Sequence, residues 1–333
     1  MSGTLVVGAG MAGLTCARAL HHAGETVFVL DKGRGVGGRM ATRRAATPVG
    51  EIGFDHGAQY VSACSPDFAT LLEQQYDAAA IWDDASPDRH YVGLPGMSGL
   101  PCALASGLDL RLATEVTEIR RTDTGWTVIA GEECFVADRV VVAVPAPQVP
   151  PLLGDDHRFL AALDAVEMVP CLALMAAFPA DSAAPFVSQH TPKATLGFVA
   201  RNSSKPGRTD MVTTWVAQAG PEFSATHLEE STDEISRRLL TLLCERIGID
   251  PSVALYVDAH RWRYARVTAA LGKPFMRDES GTLYLGGDWC LGARVEAAWI
   301  SGTEIARDIL AQAGLVRPTS GQDPLQDTQN LLP

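Results

Sequence analysis

The sequence contains no apolar run near the roughly 18 residues that a membrane-spanning helix requires. Its first residues also lack the basic stretch and small-residue cleavage site of a signal peptide, because TLVVGAGMAGL begins at Thr4. We therefore expect a soluble cytoplasmic protein with no membrane partner.

Positive charge is also in short supply. Lysine and arginine number 27 against 39 aspartates and glutamates, which gives a formal net charge of -12 and a pI near 5.1. Such a surface repels polyanions, and no long basic stripe offsets it, so nucleic acid is excluded as an expected partner. Any anion-binding site must be local.

The cysteines form no C-x-x-C pair, and no histidine stands at metal-ligand spacing from them. We expect a reduced compartment and no bound metal. Nor does any Ser-His-Asp or Cys-His arrangement carry a known catalytic signature. The seven cysteines are dispersed: Cys16, Cys64, Cys102, Cys134, Cys171, Cys244 and Cys290.

What the sequence does contain is an alternation of short β-like runs and helical patterns. Residues 4–8 and 26–30 are apolar and β-branched, and residues 11–23 between them have helical periodicity, which predicts a βαβ unit. A β-rich stretch follows at 168–218. Residues 230–247 then read as one amphipathic helix, which Ser231 and Glu234 open as a capping box. Residues 281–312 then read as a strand and a helix resembling the first unit.

These patterns predict an α/β protein whose nucleotide domain is discontinuous, because the chain leaves it and later returns. The composition after residue 315 is polar and aperiodic, which is typical of a disordered tail. The predicted segments are 1–75, 98–150 and 275–315 for the cofactor domain, 76–97 and 151–274 for the substrate domain, and 316–333 for the tail.

The first predicted turn carries G-x-G-x-x-G at Gly8, Gly10 and Gly13. The three glycines permit a tight turn, a close approach of a pyrophosphate to the backbone, and close packing of helix on strand. Asp31 ends the second strand, where it can accept hydrogen bonds from a ribose. The order strand, helix, strand, acid favours a bound dinucleotide over a glycine-rich turn without ligand.

A second glycine loop follows directly, in GRGVGGRMATRR at 33–44. Gly37 and Gly38 precede Arg39, whose guanidinium can pair with a pyrophosphate through two hydrogen bonds. An exposed basic loop is the alternative, and the tandem glycines argue against it.

Together these segments resemble the flavin-containing amine oxidase superfamily. DHGAQY at 55–60 and LYLGGDWCLGARVEAAWISGTEIA at the far end resemble further motifs of that superfamily. The resemblance implies a glutathione-reductase-like, Rossmann-type FAD domain. It also implies a second α+β substrate domain on a mixed β-sheet, as in p-hydroxybenzoate hydroxylase.

The resemblance further implies that Asp288 binds the ribityl chain and that a helix beginning near Val295 points its N-terminus at the flavin, where negative charge develops on reduction. Cys290 lacks the local sequence of covalent flavin sites, so non-covalent FAD is expected. The expected cofactor contacts are Gly8, Gly10, Met11, Ala12, Gly13, Asp31, Lys32, Gly37, Gly38, Arg39, Met40, Ala58, Gln59, Tyr60, Val116, Gly287, Asp288, Val295, Glu296 and Ala298.

ARNSSKPGR at 200–208, HRWRYA at 260–265 and DKGRGVGGRM at 31–40 resemble the renalases within this superfamily. That resemblance implies oxidation of 2- or 6-dihydro isomers of NAD(P) to NAD(P)+, with electrons passing through FAD to oxygen and hydrogen peroxide as product. A dihydropyridine expels hydride from its own ring, so the chemistry needs orientation and no general base.

The candidate substrate residues are of two kinds. His260, Trp262 and Tyr264 alternate along a predicted strand and share one face, either as a pocket above the flavin or as an aromatic core face. Trp289 adjoins Asp288 and either approaches the flavin or packs internally. Arg201, Lys205 and Arg208 lie in one basic turn, which either orients substrate phosphates or is a plain structural loop.

Two other functions stay open from the sequence. The same scaffold serves amine oxidases, although this chain has no paired-aromatic motif near its last helix. A flavin-binding redox sensor is the third possibility. Oligomeric state, monomer or weak dimer, and the choice between NAD and NADP forms are also open.

Overall fold

The computed structural model describes residues 3–74, 77–154 and 157–314, so the predicted tail at 316–333 lies outside the described residues. The strands are β1 (Thr4–Val7), β2 (Val27–Leu30), β3 (Thr42–Thr47), β4 (Gly50–Asp55), β5 (Ala79–Trp82), β6 (His90–Gly93), β7 (Asp109–Arg111), β8 (Glu118–Thr122), β9 (Gly125–Ala130), β10 (Glu133–Ala137), β11 (Arg139–Val142), β12 (Glu167–Pro179), β13 (Ser188–His190), β14 (Leu196–Arg201), β15 (Val212–Ala219), β16 (Tyr256–Ala269), β17 (Phe275–Arg277) and β18 (Leu283–Gly286). The helices are α1 (Met11–His22), α2 (Pro66–Gln74), α3 (Gly99–Ala105), α4 (Pro150–Leu153), α5 (Leu160–Leu163), α6 (Pro221–Thr226), α7 (Thr232–Ile247) and α8 (Val295–Gln312).

The first large sheet has the order β17-β18-β11-β1-β2-β7. Its pairs are parallel except for β17, which runs antiparallel at the edge. β1, β2 and β18 are buried along their whole length, as expected for strands covered on both faces. The chain enters this sheet at its start and returns to it after residue 274, as the periodicity predicts.

Alternating side chains of this sheet enter two different cores. Val6 and Val29 pack with α1 and α8 on one face. Leu5 and Leu30 pack on the other face, against the small β8–β10 sheet and the segment 146–166. The glycine loop after β1 therefore leads into α1, which packs with α8 on one face of the sheet. The cores on both faces hold this sheet in place.

The second large sheet has the order β13-β14-β15-β12-β16 and is antiparallel in each of its pairs. One face packs on α7, and the other face packs on the β3–β4 hairpin. Helix α7 begins as predicted, since the Ser231 hydroxyl accepts a hydrogen bond from the Glu234 N–H at 3.2 Å, and it ends at Gly248, whose φ is 72°.

The predicted fold class is confirmed: a Rossmann-type layer joined to a second sheet with its own helix. The mixed pairing lies in the first sheet, where β17 supplies it, whereas the second sheet is antiparallel throughout its described pairs. Strand β16 reaches the first layer, because the Ala265 carbonyl near its end accepts a hydrogen bond from Arg39. The predicted domain boundaries stay a prediction.

Candidate cofactor and substrate site

The turn between β1 and α1 has the shape that its glycines predict. A Cβ atom on Gly13 would lie 1.9 Å from the Gly8 carbonyl oxygen, so only glycine lets α1 pack this closely. Gly8 itself has a φ of 110°, which few side chains tolerate. A Cβ on Gly10 would meet nothing within 4 Å. The space beside Gly10, at the N-terminus of α1, fits a pyrophosphate.

Asp31 is held in place at the end of β2. Its two carboxylate oxygens accept hydrogen bonds from the N–H groups of Ala9 and Gly33, each at 2.6 Å. Each oxygen has a further lone pair, so the carboxylate can still accept from a ribose hydroxyl. The neighbouring Lys32 side chain is exposed and approaches Glu115 at 3.7 Å.

The second glycine loop packs directly on the first. The Gly37 N–H donates to the Ala9 carbonyl at 2.7 Å, and a Cβ on Gly38 would lie 3.7 Å from the Gly10 Cα. Gly37 has a φ of 109°, which again selects glycine. Both loops therefore border the same space, and Met40 after them is buried in the core around α1.

Arg39 and Asp288 bind each other through two hydrogen bonds, at 2.7 and 2.6 Å. The sequence pattern predicts separate roles for these two residues, on the pyrophosphate and on the ribityl chain. In the structure they form one bidentate pair that is partly open to solvent, with 29% of the Arg39 side chain and 9% of the Asp288 side chain exposed. The pair joins the first glycine loops to the closing motif.

Helix α8 begins at Val295, as predicted, and Ala298 lies in its first turn. The Glu296 carboxylate does not face the helix terminus, because it accepts hydrogen bonds from the N–H groups of Cys64 and Ser65, each at 2.8 Å. What the first turn offers a cofactor is therefore its backbone N–H groups, which have no partner inside a helix.

The rest of the closing motif packs away from the cofactor space. The Gly287 N–H donates to the Ser301 hydroxyl at 2.9 Å, and a Cβ on Gly302 would lie 2.2 Å from the Ala12 carbonyl oxygen. Glycine at 302 thus brings α8 against the first turn of α1. Val116 is buried with the core on the opposite face of the first sheet.

The segment 55–60 lies against the Arg39 loop. The Ala58 N–H donates to the Arg39 carbonyl at 2.8 Å, and a Cβ on Gly57 would lie 2.0 Å from that same oxygen. The Gln59 amide is occupied inside the protein: it donates to the carbonyls of Asp55 and Gly57 and accepts from Lys205 Nζ at 3.0 Å. Gln59 therefore braces this segment, and its amide is not directed at a ligand.

Asp55, Lys205 and Arg208 form a buried ion cluster. Asp55 Oδ2 lies 3.2 Å from Lys205 Nζ and 2.5 Å from Arg208 Nη2, and 3% or less of each side chain is exposed. Burial alone would raise the pKa of Asp55, but Lys205 and Arg208 outweigh it and lower that pKa to about 2. Burial lowers the pKa of Lys205 to about 8, against the opposing effect of Asp55.

This cluster corrects the hypothesis for the basic turn at 200–208. Lys205 and Arg208 are inside the protein with a carboxylate partner, so they do not present free charges to a substrate phosphate. Arg201 lies opposite Trp215 in the strand pairing, and Trp215 belongs to the core under α7. Lys205 and Arg208 are enclosed because the turn after β14 folds against segment 55–60 and brings both cations to Asp55.

His260 and Trp262 share one face of β16, as their alternation predicts. Their ring centroids lie 4.3 Å apart, and His56 approaches them at 4.7 and 5.0 Å. The Trp262 indole N–H donates to the His56 carbonyl at 2.9 Å, which fixes the ring beside Gly57. Tyr264 follows two residues later on the same strand and is half-buried.

Both histidines of this group are neutral at physiological pH. Burial, followed by His260 and Arg43, lowers the pKa of His56 to about 4. Burial and Arg43 also lower the pKa of His260. The group therefore offers aromatic surface and uncharged imidazoles beside the cofactor segment.

Trp289 does not approach this space. It is fully buried in the core on the opposite face of the first sheet, and its indole N–H donates to the Val144 carbonyl at 3.0 Å. Cys290 lies in the same core, where burial raises the pKa of its thiol to about 12. The motif turns at Gly287, whose φ is 154°, and this turn directs both side chains away from the cofactor loops.

The structure adds residues that the sequence patterns missed. The Tyr60 ring stacks on His90 with centroids 3.7 Å apart, and His90 Nδ1 is hydrogen bonded to Asp84 at 3.0 Å. The Gln218 amide donates to the Gly57 carbonyl at 2.5 Å. Asp55 stands inside the quoted DHGAQY motif, yet only its burial reveals its role. No spacing in the sequence connects these pairs.

Within 3–74, 77–154 and 157–314, no three acidic, histidine or cysteine side chains come together as metal ligands. In the same ranges no helix combines the length and apolar character needed to cross a bilayer.

Comparisons with known protein families match both layers of the fold. A profile for flavin containing amine oxidoreductases matches residues 78–310, and one for an NAD(P)-binding Rossmann-like domain matches residues 6–74. Renalase from the mouse, Mus musculus, is 27% identical over 308 residues, which cover 81% of this chain and 87% of that one.

Solved structures agree in fold. Cyclohexylamine oxidase from Brevibacterium oxydans IH-35A superposes with a TM-score of 0.72 at 13% identity, over 94% of this chain and 99% of its own. Putrescine oxidase bound to putrescine superposes with a TM-score of 0.68 at 16% identity, over 93% and 99% of the two chains. At these identities the likeness establishes the fold alone.

Proposed function

This chain belongs to the family of flavin containing amine oxidoreductases, and from that premise we propose that it oxidises 2- or 6-dihydro isomers of NAD(P) to NAD(P)+. It is an FAD-dependent oxidoreductase with a renalase-like sequence. Within the proposal, bound FAD would supply the hydride acceptor at its N5, and molecular oxygen would be the final oxidant, giving hydrogen peroxide.

The observation that carries the proposal is the similarity to mouse renalase, which extends over 81% of this chain. It spans both layers of the fold and is therefore not limited to the dinucleotide-binding motif. The basic turn and the HRWRYA strand, which the renalase resemblance rests on, meet around segment 55–60 through Lys205 and Trp262.

The residues fit FAD on geometric grounds. Gly10 leaves open space at a helix N-terminus, and Asp31 holds a ribose-accepting carboxylate beside it. The first turn of α8 supplies backbone N–H groups for the far end of the cofactor. When bound, FAD supplies the acceptor for the hydride and the means of reducing oxygen.

The residues of this site would orient a planar ring and would not transfer a proton. His56 and His260 are neutral, since burial lowers the pKa of both. A dihydropyridine releases hydride as its ring becomes aromatic, so the reaction needs no base at this position. The rings of His260 and Trp262 offer apolar surface for such a substrate.

An amine substrate is the alternative that this geometry supports less. Binding a cation between two aromatic faces requires each ring centroid within about 6 Å of the charge. Tyr60 has one face against His90, and its centroid lies only 5.9 Å from that of Phe198 at a 51° tilt. These two rings are tilted against each other, so they do not form a pair of parallel faces that could enclose an amine.

The test is anaerobic reduction of the purified yellow protein followed by absorbance in a stopped-flow instrument. Isomerised NADH and NADPH preparations should bleach the flavin rapidly, while fresh 4-dihydro NADH and simple amines should not do so at comparable rates. Air should then restore the colour with formation of hydrogen peroxide.

The other functions give different results in the same instrument. Reduction by amines but not by the isomers would contradict the proposal and favour an amine oxidase. No reduction by either class, with FAD still bound, would favour a redox sensor.

A further inference from the structure

Lys205 is an ammonium group enclosed within the protein. Its side chain has no exposed surface, and Nζ lies 3.2 Å from Asp55 Oδ2 and 3.0 Å from Gln59 Oε1. The Trp82 ring covers another side, with its centroid 5.2 Å from Nζ. The charged groups that act on Lys205 are Asp55, Arg208 and, farther out, Asp84.

These surroundings do not simply cancel the charge of Lys205. Asp55 Oδ2 is shared with Arg208, which approaches it at 2.5 Å, so one carboxylate faces two cations. Asp84 is already hydrogen bonded to His90 and to the Ser188 hydroxyl. Lys205 and Arg208 together carry one more positive charge than Asp55 balances, and Gln59 is the polar neighbour through which Lys205 contacts segment 57–60.

Gln59 connects this charge to the cofactor space. Its amide accepts from Lys205 and donates to the Gly57 carbonyl at 3.1 Å. A Cβ on Gly57 would lie 2.0 Å from the Arg39 carbonyl oxygen, and the Arg39 loop packs on Gly10 through Gly38. A continuous set of contacts thus runs from Lys205 to the two glycine loops.

A flavin that accepts a hydride gains two electrons and one proton, so its charge falls by one. A nearby cation stabilises that added charge, and it does so more strongly in a buried site than in water. The effect is reciprocal, because a more negative cofactor raises the affinity of the cation for its own proton.

We propose that Lys205 is an electrostatic positioning residue for the flavin: through Gln59 it holds a positive charge behind segment 57–60 that favours the reduced cofactor and couples reduction to proton uptake. The proposal rests on the flavin ring lying beside residues 57–60. It does not depend on which compound donates the hydride.

The first experiment measures the midpoint potential of the purified holoenzyme between about pH 6 and about pH 10. This range spans roughly the interval between the ordinary pKa values of histidine and lysine. A chemical reductant and reference dyes replace any substrate. Burial lowers the pKa of Lys205 to about 8, so the oxidised protein loses this proton above that pH. Reduction should then take it up again, which steepens the fall of potential by about 30 mV per pH unit for a two-electron couple.

Variants separate Lys205 from its neighbours. Lys205→Met should remove the extra slope and lower the potential at pH 7 by about 30 mV, which corresponds to a tenfold change in the two-electron equilibrium. Lys205→Arg should restore the potential without the slope, because arginine stays protonated throughout this range. Arg208→Met is the matched control: it removes a cation from the same carboxylate but leaves the Gln59 contact. Arg208 lowers the pKa of Lys205, so its removal should move the extra slope to higher pH without abolishing it.

Equal slopes and potentials in the wild type and Lys205→Met would overturn the proposal, as would an extra slope that begins at the same pH in Arg208→Met as in the wild type. If Lys205→Met does not fold, Gln59→Leu serves in its place, since it breaks the connection and keeps the ion cluster. In Gln59→Leu the potential should fall and the extra slope should shrink, and an unchanged wild-type profile would contradict the proposal. Failure of the proposed substrate would appear only in the stopped-flow assay, so the two outcomes are distinguishable.

Discussion

The loop at 37–39 and the loop at 201–208 both hold arginine against a buried aspartate, but water reaches the two pairs to different extents. In the first, 29% of the Arg39 side chain is exposed beside Asp288. In the second, Lys205 and Asp55 are fully enclosed and Arg208 is 3% exposed. A partly open pair can exchange a partner with a ligand, whereas the charges of an enclosed cluster cannot contact a ligand directly.

The difference follows from the layers that each loop joins. The Arg39 loop borders the open space at Gly10, where the cofactor phosphates are expected. The 201–208 loop fills the gap between the second sheet and segment 55–60, and the Asn202 amide donates to the Gly53 carbonyl at 3.0 Å there. Similar residue types therefore serve binding in one place and support in the other.

Replacing Asp55 by asparagine should give the largest effect. It leaves Lys205 and Arg208 buried without a counter-charge, and breaking a buried pair in this way costs about 3–5 kcal/mol. We expect that loss in the free energy of unfolding, measured by urea denaturation. Asp258→Asn, which breaks the more exposed pair with Arg43, is the control. Equal losses in both variants would remove the distinction between enclosed and open pairs.

Gly57→Ala tests the point where the two regions meet. The new methyl group would lie 2.0 Å from the Arg39 carbonyl oxygen, so backbone must shift. Overpacking of this kind costs about 1–3 kcal/mol. We expect lower stability together with weaker FAD retention, measured by gel filtration and absorbance. Gly197→Ala, in β14, where the nearest atom to the added Cβ would lie 3.5 Å away, controls for glycine replacement at a site away from the cofactor loops. FAD retention equal to that of the wild type would contradict the contact.

Arg39→Met should affect binding more than folding, because its pair with Asp288 is partly open. We expect FAD to bind at least tenfold more weakly, or about 1.4 kcal/mol, with a smaller change in apoprotein stability than Asp55→Asn causes. Equilibrium dialysis and urea denaturation measure the two quantities. The reverse order of effects would show that the open pair is the structural one.

The last prediction concerns the pH dependence of the free energy of unfolding. The pKa of Lys205 is lowered from 10.5 to about 8 in the folded protein, so the unfolded chain binds more protons between these two values. Stability contributed at this site therefore rises with pH in that window. The free energy of unfolding of the wild type should therefore increase relative to that of Lys205→Met as the pH increases from about 8 to about 10. A constant difference would show that Lys205 does not titrate there.

Much of the glycine-loop region at the start of the chain was predictable, because its sequence signals are local. Gly8 has a φ of 110°, and a Cβ on Gly13 would strike the Gly8 carbonyl oxygen, so both glycines report backbone geometry within one turn. The start and end of α7 and the start of α8 followed equally from caps and periodicity. Residues within a few positions of one another fixed these features.

Other features depended on residues far apart in the chain. Arg39 and Asp288 are 249 positions apart, and Lys205 and Asp55 are 150 apart. Trp289 follows Asp288 directly, but the turn at Gly287 sends its ring into the core on the opposite face of the sheet. Neither composition nor spacing could indicate these partners.

The sequence by itself determined that this protein has a dinucleotide fold, where its glycines and Asp31 lie, and which superfamily it resembles. These depend on local sterics and hydrogen bonding, which a short stretch of chain specifies. Only the tertiary structure decided which of its cations stay open to a ligand. Burial and the choice of counter-charge arise when distant segments pack together, and they turned Lys205 and Arg208 from candidate phosphate ligands into the enclosed partners of Asp55.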